Sequence, residues 1–296
     1  MNILLNSAKK GQLWDRYYAI KALGHIDQPR VRKTLTQCLK EFFAKDSDWK
    51  WIPGRDLIGA TLTSLGSIGD KQTALLVIEY TRDPGCDFLY DDLKKCLVKI
   101  GKPAVPELIA AIEEDLNNGL YDWGRLVLVE ALGDIGNPEA VPFRVKLLDW
   151  PYPDEWSERD FKEVALRGLG YLKAYDAFDK IDRELLSGKE ESTRQAAAQA
   201  LGLIGGARSF AVLERKLEGS DAQWVERECL ASLISIAFKE LNTADMKLKA
   251  SQITARKSGV ESAFELMYQP IMNSESWAIE LFFQILGDVP MQRNFH

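Results

Sequence analysis

Histidine is almost missing from this 296-residue chain, which has only His25 and His296. A metal centre needs several converging His, Cys or carboxylate ligands. Neither His-Glu-x-x-His nor any His-x-x-x-His pair occurs, so zinc-hydrolase and paired His-Glu iron chemistry are excluded. A Ser-His-Asp triad would have to draw on one of those two histidines. Cysteine is scarce as well: Cys38, Cys86, Cys96 and Cys229 show no Cys-x-x-Cys spacing. They read as reduced thiols packed in the interior of a cytoplasmic protein. The opening Met1–Lys10 turns polar at Asn6 and basic at Lys9, unlike a secretory leader. No stretch approaches the about 18 consecutive apolar residues of a membrane span. Positive charge is in deficit, 38 Lys+Arg against 44 Asp+Glu for a net charge of −6, which disfavours nucleic acid as a partner.

Phosphate loops are missing too. Gly168-Leu169-Gly170 and Gly202–Gly205 follow no strand and fall where helices end. Carboxylate runs such as Asp91-Asp92 and Glu113-Glu114-Asp115 are those of solvated helical faces, which does not suggest glycosidase-type chemistry.

What the chain has is apolar material, 46% of residues, and a repeat. A helical run ending Leu-Gly-x-Ile-Gly is followed by a short turn and a second apolar-periodic run. Leu132–Pro142 is the fullest copy; Leu65–Asp70, Leu97–Pro106 and Leu201–Gly206 match it, and Leu23–Ile26, Leu169–Leu172 and Leu233–Ile236 are looser. The leading leucines fall at 23, 65, 97, 132, 169, 201 and 233, a spacing that suits paired helices joined by short turns. Glycine after the run suits a helix C-terminus. Proline at 103, 106, 138 and 142 suits the first turn of the next helix.

One helix pair cannot bury its apolar stripe alone, so the pairs must stack. The expected fold is all-α: an α-solenoid of helical hairpins forming one domain over 1–296, with repeats to about 241 and a C-terminal helical cap over 242–296. Lys45–Gly54 and Asp149–Trp156 read as loop insertions. Met246–Glu265 reads as a helical hairpin, and Ser276–Leu286 as a final helix with Trp277, Phe282 and Phe283.

Stacking turns aligned positions into columns. Nine residues before each anchor leucine come Trp14, Asp56, Phe88, Trp123, Asp160, Ser192 and Trp224. The aromatic members are either hydrophobic staples that set a helix entry angle or an apolar rim for a flat ligand or a partner helix. Seven before each anchor come Arg16, Ile58, Tyr90, Arg125, Lys162, Arg194 and Glu226. The basic members either pair with acidic residues of the adjacent repeat or form a file that binds carboxylates. A third column, from Lys21 to Ala231, is mixed in sign and suggests no site.

Leu132–Pro142 looks like the HEAT-like repeats named after phycobilisome lyases, and the pattern runs over roughly Trp14–Leu241. Arg16-Tyr17-Tyr18-Ala19, leading into Leu23-Gly24, is similar to the opening of E-type bilin lyases of the E/F class. That resemblance implies a lyase, or a bilin-transfer chaperone, that helps attach a linear tetrapyrrole to a cysteine of a phycobiliprotein subunit through a thioether. The tetrapyrrole would be a substrate rather than a permanent cofactor, and a second lyase subunit a possible partner. It implies ligand roles for Arg16, Tyr17 and Tyr18. With the columns it suggests Arg125, Lys162 and Arg194 for propionates, Asp91 for pyrrole nitrogens, and Trp123 with the rim Trp14, Phe88 and Trp224 for the conjugated plane. The competing expectation is a non-enzymatic scaffold that grips a protein partner on its concave face.

Overall fold

The computed structural model describes residues 1–44 and 52–257, together with residues 275, 278 and 281. Every regular element among the described residues is helical. In chain order these are α1 (Asn2–Lys10), α2 (Leu13–Leu23), α3 (Pro29–Phe43), α4 (Ile52–Ile68), α5 (Lys71–Thr81), α6 (Tyr90–Ile100) and α7 (Val105–Asn117). There follow α8 (Trp123–Asp134), α9 (Val141–Leu148), α10 (Glu155–Tyr171), α11 (Phe178–Ser187), α12 (Glu191–Ile204), α13 (Gly206–Glu218) and α14 (Gln223–Ser235). A π-helical turn, Ile236–Leu241, extends α14, and α15 covers 244–257.

The chain divides into two compact units. The first holds Met1–Lys146 and Pro151–Ser157; the second holds Leu147–Trp150 and the chain from Glu158 onward. In the first unit, α1/α2, α3/α4, α5/α6 and α7/α8 pair as hairpins, and α2, α4, α6 and α8 lie side by side in that order. In the second unit α11/α12 and α13/α14 pair, and α12 packs on α14. Each unit is thus a solenoid-type stack of helical hairpins.

The repeat motif explains the packing. All seven anchor leucines are fully buried, and each stabilises the fold by about 1.5–3 kcal/mol. The glycine that follows the anchor admits a close helix neighbour. A Cβ at Gly170 would come within 2.7 Å of Ala200 Cα, and one at Gly24 within 2.9 Å of Ser64 Cα. Similar approaches hold Gly66 to Cys96 and Gly202 to Ser232. The residue met is always the small one just before the next anchor. At Gly133 the space is taken by Arg144 of α9, which is fully buried and donates from Nη2 to the Val129 carbonyl. Burial pulls its pKa down to about 10, against the pull of Asp134 and Glu130. The second glycine of the motif ends the helix with positive φ at Gly101 (74°) and Gly205 (77°), a conformation costly for other residues.

Two boundaries differ from the sequence reading. Ile52–Gly54 belong to the first turn of α4 and not to the preceding loop, a position where proline is tolerated. Asp154 accepts hydrogen bonds from the Ser157 backbone N–H (2.8 Å) and hydroxyl (2.9 Å), so Glu155 and Trp156 open α10 and are not loop. The expected hairpin over Met246–Glu265 is one helix through 257, and its remainder lies outside the described residues. So do Trp277, Phe282 and Phe283.

Candidate functional site

The basic column faces into the fold. On α2, Arg16 is 8% exposed; its Nε donates to the Ala8 carbonyl near the end of α1 at 3.0 Å. Its guanidinium lies over the Phe42 ring at 4.8 Å and 3.6 Å from Glu41. On α8, Arg125 donates to Asp115 near the end of α7 (3.1 Å) and to Asp122 (2.6 Å). Asp115 is itself buried and is gripped from its other side by Arg82 at 2.8 Å. On α12, Arg194 binds Asp221 at 2.7 Å and donates to the Gly188 and Lys189 carbonyls just past α11. On α10, Lys162 reaches Glu158 (2.9 Å) and the buried Glu184 of α11 (3.4 Å). A cation in the first turns of one helix thus ties down the neighbouring helix, often at its electronegative end.

Burial works against the Asp221 carboxylate, but hydrogen bonds from Arg194 and Lys216 outweigh it and hold its pKa well below the usual carboxylate range. The guanidiniums of Arg16, Arg125 and Arg194 are therefore engaged inside the fold, in line with the pairing alternative for this column and not with a solvent-facing basic file.

The aromatic column does the opposite. Trp14, Trp123 and Trp224 are 60%, 63% and 59% exposed. A hydrophobic staple would bury them, and these three side chains are exposed. Phe88 is half-buried, with the Arg55 guanidinium 5.8 Å from its ring centre. Trp156, in the first turn of α10, belongs with these residues and is 70% exposed. Counting back from Leu169 at a fixed offset misses it, because α10, like α4, is 17 residues long and begins further ahead of its anchor than the other repeat helices do.

Only α2 gathers several site residues on one face. Trp14, Tyr17 and Tyr18 form a three-ring cluster: Trp14 meets Tyr17 edge-on at 5.8 Å and Tyr18 at 6.4 Å, and Tyr17 meets Tyr18 edge-on at 5.4 Å. The Lys21 ammonium stands 5.3 Å from the centre of the Tyr17 ring. These residues occupy i, i+3, i+4 and i+7 of one helix, the spacing that shares a face. Lys21, which the column reading set aside, is the cation beside the aromatics. Asp91 is exposed at the start of α6; α4 lies between α6 and α2, so at 8–10 Å per helix it is roughly 20 Å from the cluster. Trp123 is one helix further along, on α8. Lys162 and Arg194 belong to the second unit.

The cysteines are all buried. Burial raises the Cys38 thiol and pushes Cys96 and Cys229 up to about 12, where a thiolate nucleophile is not available at neutral pH. Among the described residues no group of three or more His, Cys, Asp or Glu could hold a metal ion. No described helix is long and apolar enough to cross a membrane.

Two family models match: HEAT repeats over residues 154–234 and the PBS lyase HEAT-like repeat over residues 15–41. A similar solved structure is the complex of CpcE and CpcF of phycocyanin lyase from Nostoc sp. PCC7120, at 18% identity and a TM-score of 0.40, covering 86% of this chain and 93% of that one. No curated protein matches. Over residues 154–234 the chain is thus similar to HEAT repeats, and over residues 15–41, across α2 and α3, to the PBS lyase HEAT-like repeat.

Proposed function

We propose that this chain handles a linear tetrapyrrole and helps attach it to a cysteine of a phycobiliprotein subunit, as a lyase or as a transfer chaperone, in company with a second lyase-type subunit. The observation that carries the reading is the Trp14–Tyr17–Tyr18–Lys21 face, which lies in and beside the repeat of PBS lyase HEAT-like type. Aromatic faces stack on a conjugated plane, and the ammonium would neutralise a propionate. The thioether forms when the acceptor's thiolate adds to a vinyl or ethylidene carbon: an S–C bond replaces the C=C π bond, and a proton goes to the adjacent carbon. The nucleophile comes from the acceptor, in keeping with the buried thiols of this chain. Holding the plane in register is the work left to the solenoid, and positioning alone accounts for much of such a rate gain.

The test is co-expression with a bilin-synthesis system and candidate apo-subunits. The proposal expects bilin absorbance to co-purify with the chain, and covalent colour on an acceptor subunit that drops roughly tenfold with Trp14→Ala/Tyr18→Ala. No covalent colour together with no co-purifying bilin would end it. Saturable apo-subunit binding that is indifferent to bilin and to those substitutions would favour the protein scaffold.

A further inference from the structure

A second aromatic surface lies away from α2, where the turn before α8 meets the turn before α10. Tyr121 and Tyr152 touch edge-to-face at 5.9 Å and join the two turns. Trp123 and Trp156 follow each tyrosine within one helical turn, and both belong to the first unit. Tryptophan is enriched among the residues that anchor protein interfaces.

Carboxylates adjoin both tryptophans, and the cation one turn after Trp156, Arg159, is paired with Asp160 at 2.8 Å. Asp122 and Asp154 cap α8 and α10 immediately beside the two tryptophans, and Glu155 stands exposed between Asp154 and Trp156. The Asp122 side chain is 56% exposed although it binds Arg125, whose own side chain is 7% exposed. Asp154 is kept charged by hydrogen bonds from the backbone and hydroxyl of Ser157. The cation is turned inward and the carboxylates outward, so the surface presents indole faces set among negative charges.

We infer that this surface docks an arginine-bearing apolar segment of a partner protein. A guanidinium is the group that both features select: it stacks on indole and takes a carboxylate in a forked hydrogen bond. The propionates of a bilin and the phosphates of a nucleic acid would face like charge here. The inference does not rest on the bilin reading, which concerns a different helix.

Fluorescence anisotropy of a labelled decapeptide alternating arginine and leucine, against its glutamate-for-arginine counterpart, tests it on the full chain. The arginine peptide should bind and weaken with salt, since exposed charges are screened at ionic strengths of about 0.3 M. Trp123→Ala/Trp156→Ala should weaken it roughly tenfold and Glu155→Lys about threefold, with Trp14→Ala/Tyr18→Ala without effect and circular dichroism melts confirming that each variant folds. Equal binding of the glutamate peptide, or undiminished binding to Trp123→Ala/Trp156→Ala, would overturn it. So would sedimentation showing a dimer of this chain that Trp156→Ala dissociates, since the occupant would then be a second copy.

Discussion

Two columns separated by two residues in the repeat meet opposite fates. Trp14 and Arg16 lie on α2, and Trp123 and Arg125 on α8; in each pair the tryptophan is about 60% exposed and the arginine under 10%. Two residues span about 200° of an α-helix, so positions two apart look in nearly opposite directions. One face cannot offer both a stacked aromatic and a free arginine from this pair. A cation for the outward face must come from a residue at i+3, i+4 or i+7, and on α2 that residue is Lys21. The α8 counterparts of Tyr18 and Lys21 are Val127, buried at 6% exposure, and Glu130, so α8 gathers no comparable cluster.

The sharpest way to break this contrast is at the shared carboxylate of the inward column. Asp115→Ala removes the buried carboxylate that Arg82 and Arg125 share and leaves them only their exposed partners Glu79, Glu114 and Asp122; losing one member of a buried ion pair costs about 3–5 kcal/mol. Trp123→Ala on the same helix should stay within about 0.5 kcal/mol, as exposed substitutions do. Urea unfolding of the two variants reads the difference directly. Comparable losses would mean that Trp123 packs against the fold.

Acid provides the next test. The Asp221 carboxyl has a lower pKa folded than unfolded, so between the two values the unfolded chain binds more protons and stability rises with pH. The contribution is whole above the unfolded value near about 4 and is lost as pH falls through the folded value. Wild type should exceed Asp221→Asn in urea midpoint at pH 6, and the gap should narrow only below about pH 4. A gap that stays constant into acid would separate Asp221 from the Arg194 and Lys216 pairing.

Arg194→Lys probes geometry rather than charge. The guanidinium serves Asp221 and two carbonyls at once, which one ammonium cannot match. A loss of about 1–2 kcal/mol is expected, near that of one or two hydrogen bonds.

Much of this arrangement is legible in the chain itself. The seven leucine anchors predict the buried seam, and all seven are buried. A further column stands in plain sight: the residues before the anchors are Ala22, Ser64, Cys96, Ala131, Gly168, Ala200 and Ser232, all small, and the approaches at Gly24, Gly66, Gly170 and Gly202 end on one of them. The direction of the basic column was also within reach, since the 3.6-residue period sets it against the tryptophans. Its partners were not. Asp115 reaches Arg125 only because the chain reverses between α7 and α8, and Asp221 reaches Arg194 from the far side of α13. Trp156 was hidden by variable helix length, since an anchor at one end of a helix says little about where the other end begins.

A small effect on stability is likewise expected at the residues that matter most for the proposed function. Trp14→Ala/Tyr18→Ala removes two exposed rings whose neighbours are mainly each other and Tyr17, so unfolding should shift by less than about 1 kcal/mol. A residue kept for packing declares itself by its stability cost, and these should not. If tetrapyrrole binding falls tenfold in a variant that melts like wild type, the outward column is there for a ligand. If the variant instead melts several degrees lower while binding is untouched, the α2 rings belong with the inward column as part of the scaffold.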